Sequence, residues 1–397
     1  MKKNKDIPQL IITRYPFWNY FQWFLLGFYK LEKEGEIKLS FQTPFFTRLS
    51  RIIPNNTRVG KACKLLHQKT EKQSYTLEGY YVLGNQKKRF CIDCADSPFL
   101  LDSDLLDKVA VYFKMQCPSA IDYNGFPLTD SLLIPYCDHK NTNPDTGAKT
   151  ERKLIEGLEQ KKHKIKPLMV GPRRLSWSNS FRSLNKAYNN YLKSSRLEQT
   201  KKLMCYFGNA LGPKAVNSTE IKDFNKESFL MAYFGDKINH PNEKRAKVAD
   251  IIESLGEGYD ARIINRNYAD SGKKGHREDL VVPLELFCDH IAQFQYNMNI
   301  SGYRLSIPNR FIESFMSGTA IVTDRLAVKW YLPFEEEVIE TEEMGYLPDN
   351  EVNWVQIETD LRSLPPVDKN KVLDAFYRKW SPEKVAHYIL NTLRDRE

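Results

Sequence analysis

Apolar residues along the chain gather in short runs, and the polar stretches between them are long enough for helices, so strands and helices are expected to alternate. Leu10, Ile11 and Ile12 form the first strand candidate, and the aromatic segment 15–30 that follows has the length and spacing of a helix. Gly35 marks a turn, residues 37–41 alternate with the period of two expected of a strand, and residues 75–83 and 90–93 supply two more strand candidates. In the second half, strands are predicted over 202–207, 229–234, 261–264 and 294–300, with a Lys/Glu/Ala-rich helix over 242–255 that stops at Gly256. Together these elements predict an α/β fold.

The stretch 294–323 is the most informative. A strand ends at a Ser301-Gly302 turn, a polar loop follows, and Pro308 stands where proline is tolerated, at a helix start. That helix, 309–316, stops at Ser317 and Gly318 and leads into an apolar strand over 319–323, completing a β-loop-α-β crossover. Residues 370–393 divide into two helical pieces at Trp380, Ser381 and Pro382. Between 138 and 166 the chain turns polar, with a turn cluster over 141–147, and 397 residues exceed the usual size of one domain. The expected division is a first domain over 1–150, a second over 151–380, and a closing helix over 381–397.

Composition narrows the class. A chain that is 41% hydrophobic and 12% aromatic has enough apolar surface to fold. The net charge of +9 favours an anionic ligand, yet it is spread along the chain without zinc-finger spacing or an RNP-like motif, so phosphorylated small molecules are expected rather than nucleic acid. Seven scattered cysteines read as thiols of a reducing compartment, and Cys91 and Cys94, on an apparent strand, read as buried thiols rather than a metal or redox pair. The histidines are too dispersed for a metal site, Asp102, Asp104 and Asp107 lack the glycine and distal glutamate of a calcium loop, and no G-x-S-x-G or P-loop occurs. The apolar run 17–29 contains Asn19 and Gln22 and falls short of the roughly 20 residues of a membrane span, so the location expected is cytoplasmic.

A helix N-terminus that follows a strand presents unpaired N–H groups and a positive dipole end, which suits a diphosphate. Ser301, Gly302 and Ser306 surround that position, Arg304 and Arg310 add guanidinium groups, and Glu313 lies one turn after Arg310, where a carboxylate could accept ribose hydroxyls. The plainer alternative is a surface helix with an Arg–Glu pair. Asp93 and Asp96 fall near the end of a strand, where a carboxylate could act as general base; Asp96 could equally cap the following turn.

Residues 303–322, Tyr303-Arg304-Leu305-Ser306-Ile307-Pro308-Asn309-Arg310-Phe311-Ile312-Glu313 at their start, resemble the donor-binding signature of GT-B glycosyltransferases, the exostosin-like (family 47-like) enzymes above all. The similarity is clear over about 285–345 and faint elsewhere, and Ser314 stands where the signature usually has alanine. The resemblance implies two Rossmann-like domains facing a cleft, with a nucleotide-sugar donor as substrate and no further cofactor. Asn309, Arg310 and Glu313 are implied in donor binding, with Lys214 after the strand at 202–207 and Arg245 on the helix 242–255 as fainter matches. The implied activity is metal-independent, inverting transfer of a sugar to a glycan or lipid-linked glycan hydroxyl in surface polysaccharide synthesis. A fucosyltransferase-like enzyme and a noncatalytic carbohydrate-binding protein of the same fold are the alternatives. Trp18, Phe21, Trp23 and Phe24 on the first helix read as core, and a peripheral contact with the inner membrane face is also compatible with them.

Overall fold

Two sheets organise the chain. The computed structural model describes residues 7–15, 19–43, 53, 57–63, 76–94, 100, 103–117, 158–173, 175–176, 178–200, 202–210, 241–265, 284–300, 307–324, 326, 328–334, 336–341 and 353–395. The expected strand at 229–234, the turn cluster at 141–147, Asp96, Lys214, Ser301, Gly302, Arg304 and Ser306 all lie outside the described residues.

The first sheet has the order β2-β1-β3-β4-β5-β6. Its strands are β1 (Gln9–Arg14), β2 (Lys38–Phe41), β3 (Thr76–Leu83), β4 (Gln86–Asp93), β5 (Val111–Lys114) and β6 (Ile165–Pro167). Only β3 runs against its neighbours, because β3 and β4 form a hairpin whose turn uses Gly84 at φ 56. All four residues of β5 are buried, as befits a parallel strand covered on both faces. The sheet extends past residue 150, since β6 pairs with β5 although the sequence assigned 151–380 to the second domain. Three residues ending in proline carry no period-two signal, so backbone pairing alone reveals this strand.

The second sheet is wholly parallel, in the order β11-β10-β9-β7-β8. It comprises β7 (Lys202–Ala210), β8 (Tyr259–Asn265), β9 (Phe294–Asn299), β10 (Ala320–Asp324) and β11 (Val338–Thr341). In chain order this is a 2-1-3-4-5 doubly wound sheet, whose strand order reverses between β7 and β9. Every residue of β10 is buried. The model is thus α/β, of a Rossmann-like class.

Helices cover both sheets: α1 (Gln22–Lys33), α2 (Ser103–Lys108), α3 (Phe181–Ser194), α4 (Pro241–Ser254), α5 (Leu284–Ile291), α6 (Arg310–Ser317), α7 (Trp354–Arg362), α8 (Lys369–Ala375) and α9 (Pro382–Arg394). Nine residues of α1 are buried, Trp23, Phe24 and Phe28 fully, so these aromatic side chains are core. α9 returns from the second layer to lie on α1. Its approach requires Gly27, where a Cβ would stand 2.1 Å from the Pro382 carbonyl oxygen. Trp23 donates its indole N–H to the Trp380 carbonyl at 3.1 Å, Lys30 pairs with Glu383, and Tyr388 donates to the Pro167 carbonyl at 3.0 Å.

Cys91 and Cys94 are buried and form no disulfide. Among the described residues no helix is long and apolar enough to cross a membrane, and no group of three or more His, Cys, Asp or Glu residues could hold a metal ion.

Candidate functional site

The site grows from the start of α6. Gly318, at φ 78, ends this helix by returning its N–H to the Phe315 carbonyl at 3.1 Å, so the helix stays eight residues long and its first turn meets the crevice. Asn309, at the cap position, makes no side-chain bond to the helix; its amide donates instead to the Gly171 carbonyl at 2.5 Å. Ser314 accepts from the Asn297 side chain at 2.8 Å and so holds α6 to β9.

Arg310 marks the crevice. One terminal nitrogen donates to the Phe207 carbonyl on β7 and the other to Asn299 Oδ1 on β9, at 3.1 Å, so the guanidinium bridges the two strands between which the sheet order reverses. In doubly wound sheets ligands bind at the carboxyl ends of strands at this switch point. Its Nε is buried and has no partner among the described residues. Burial pushes the Arg310 pKa down to about 10, with the charges of Arg245 and Arg173 acting in the same direction and Tyr206 and Glu313 opposing.

Arg245 reaches this region from α4 and is 6% exposed. Tyr206 on β7 is fully buried, and its hydroxyl has no hydrogen-bond partner among the described residues. Desolvation raises its pKa, against the pull of Arg245 and Arg310. Behind them a polar ladder crosses the strand ends: Asn299 donates to Thr323 Oγ1 at 2.9 Å, and Thr323 donates to Asp324 at 3.4 Å.

Glu313, expected on a ribose, is engaged within the protein. Its side chain is fully buried, and Oε1 accepts the Arg173 backbone N–H at 2.9 Å and the Arg173 Nε at 3.2 Å while Oε2 accepts Nη2 at 3.4 Å. A ribose would have to displace all three bonds to reach it. Arg173, which the sequence reading missed, lies on the segment that leaves the first sheet after β6; its side chain is 45% exposed and its guanidinium lies 4.6 Å over the Phe287 ring. The Gly171-Pro172-Arg173-Arg174 sequence, two arginines after a Gly-Pro turn, is the signal that could have found it.

Asp93, expected as a general base, is also engaged within the protein. It is fully buried at the end of β4, 3.1 Å from the Lys114 ammonium, which is equally buried, and accepts the Tyr112 hydroxyl at 2.8 Å. A carboxylate so enclosed presents no face to an acceptor hydroxyl. Just beyond, Gln116 joins the layers: its amide N–H donates to the Ile307 carbonyl at 2.8 Å and its oxygen accepts the Ile307 N–H at 3.0 Å, holding the approach to α6.

Arg310 and Arg173 are thus both held at α6, the first across β7 and β9 and the second on Glu313, the charges of Arg245 and Arg173 act on Arg310, and Asn309 anchors the helix beside them. Glu313 serves Arg173 and Asp93 serves Lys114. No protein-family model matches the chain, and no curated protein is similar to it in sequence.

Proposed function

We propose that the protein is a GT-B type glycosyltransferase that moves a sugar from a nucleotide-diphosphate donor to a hydroxyl of a glycan or lipid-linked glycan. The observation that carries this reading is the placement of Arg310 across β7 and β9 at the switch point of a parallel sheet, with Arg173 held on Glu313 of the same helix. Like charges held together in a partly dry crevice cost stability, and a bound anion offsets that cost. A diphosphate fits because guanidinium groups pair with its oxygens bidentately, and the same charges stabilise it as it leaves the sugar. The resemblance of residues 303–322 to the exostosin-like signature selects the sugar nucleotide among diphosphates.

In this reading the basic crevice holds the donor in the second layer and the acceptor approaches from the first, in a metal-independent, inverting displacement in the cytoplasm. Asp96 is the proposed base, and Ser301, Gly302, Arg304, Ser306 and Lys214 complete the donor contacts. Calorimetry with UDP, GDP, CDP and ADP, followed by a transfer assay with the sugar nucleotides of whichever binds, tests it. Binding and transfer by the wild type, with turnover lowered about a hundredfold or more in Asp96→Asn, is the expected result. Binding of none of the four overturns the reading.

A further inference from the structure

The buried carboxylate of Glu313 and the half-exposed guanidinium beside it form an arrangement whose purpose is not structural alone. Arg173 spends Nε and one Nη2 hydrogen on Glu313, which uses one edge of its planar fork. Phe287 supports one face of the plane. The Nη1 end has no partner among the described residues, and the side chain remains 45% exposed. Glu78 with Arg14 and Arg89 is likewise an enclosed carboxylate holding partly exposed cations; the Arg173 pair differs in its place beside the first turn of α6. Here the carboxylate is wholly enclosed, locked further by the Arg173 backbone N–H, while the cation it orients stays open.

We infer that Glu313 is a positioning residue which acts on the anionic ligand through Arg173, and that Arg173 supplies the guanidinium that grips the diphosphate. This rests on the diphosphate reading above and replaces the direct contact with ribose that the sequence alone led one to expect. The ligand chemistry it assigns to this corner of the crevice is therefore phosphate oxygen rather than sugar hydroxyl. A preset fork loses less conformational freedom on binding than a free arginine, which is the advantage of the buried carboxylate.

The test compares inorganic pyrophosphate, which has no ribose, with the nucleoside diphosphate that wild type binds best, by calorimetry on the full chain. Glu313→Gln should weaken both ligands by the same factor, roughly tenfold, and Arg173→Ala should weaken both roughly tenfold to a hundredfold. The double variant should bind no more weakly than Arg173→Ala, because a residue that acts through another adds nothing once that other is gone. If Glu313→Gln weakens the nucleoside diphosphate and spares pyrophosphate, or if its loss multiplies that of Arg173→Ala, Glu313 touches the ribose and the inference falls. Should Glu313→Gln not fold, Arg173→Lys decides: it keeps the charge without the fork, and unchanged pyrophosphate affinity overturns the proposal. Wild type that binds neither ligand fails at the earlier step and takes the diphosphate reading down with the inference.

Discussion

The carboxyl ends of the two sheets carry buried charge in opposite ways. At the end of β4 and β5, Asp93 and Lys114 face each other at 3.1 Å, both fully buried, with Tyr112 donating to the same carboxylate. At the end of β7 and β9, Arg310 bridges the two strands and feels the charges of Arg245, Arg173 and Glu313, and Glu313 is spent holding Arg173. A matched pair is architecture, because nothing outside the protein improves it. Around Arg310 the charges of Arg245 and Arg173 add to its own, which suits an anionic ligand. The difference separates Asp93, expected as a general base, and Glu313, expected on a ribose, from the arginines expected on a diphosphate.

The largest effect that would test this contrast is in the first sheet. Lys114→Met leaves the Asp93 charge buried without its cation, a loss of about 3–5 kcal/mol in unfolding free energy, and adding Asp93→Leu should restore most of it. Urea unfolding measures both. A single variant as stable as wild type, defective only in transfer, would make the first sheet a site too and erase the distinction.

Arg310→Met should show the reverse pattern. Removing one of three crowded cations leaves stability within about 1 kcal/mol of wild type while diphosphate affinity falls roughly tenfold to a hundredfold. A loss of stability larger than the loss of binding would class Arg310 with Lys114.

The same contrast marks what the sequence could and could not disclose. Elements with a local signal were legible: Leu10 to Ile12 in β1, the apolar Ala320 to Val322 of β10, and α6 with Gly318 at its stop. Arg310 was legible too, because it sits on a helix whose position after a strand has a physical meaning. Arg173 was not, since its partner Glu313 lies 140 positions away and no spacing rule spans that distance. β6 was too short to carry a period. The enclosure of Asp93 depended on Lys114 arriving beside it in register, a tertiary fact that a strand-end position does not reveal.

A smaller effect follows from the lowered pKa of Arg310. Burial, the main cause, holds Arg310 near 10, well below the ordinary arginine range, so the ligand-free site is expected to give up this proton as pH rises through about 10. Anion binding needs the charge, so pyrophosphate affinity should hold steady from neutral pH and then decline above about 10, with proton uptake on binding in that range. Titration calorimetry in buffers of different ionisation enthalpy reads that uptake. Its absence would mean that Arg310 stays charged and its neighbours are further away than the crevice implies.

The smallest effect expected is none. Chelator should leave transfer unchanged, because the guanidinium groups supply the positive charge at the leaving diphosphate. Activity lost in EDTA and restored by magnesium or manganese would add a cation to the second sheet and weaken the contrast drawn from the arginines alone.

The crossing of α9 over α1 has a consequence for biogenesis. Trp23 finds its partner carbonyl 357 positions later, at Trp380, and Gly27 exists to admit a helix made at the far end of the chain. At about 5–20 residues per second, the aromatic surface of α1 waits roughly twenty to seventy seconds on the ribosome before its cover is synthesised. The first layer is begun first and completed last. Stop codons placed before Pro382 should therefore yield chains that depend on chaperones for solubility even though both sheets and the whole basic crevice have been translated.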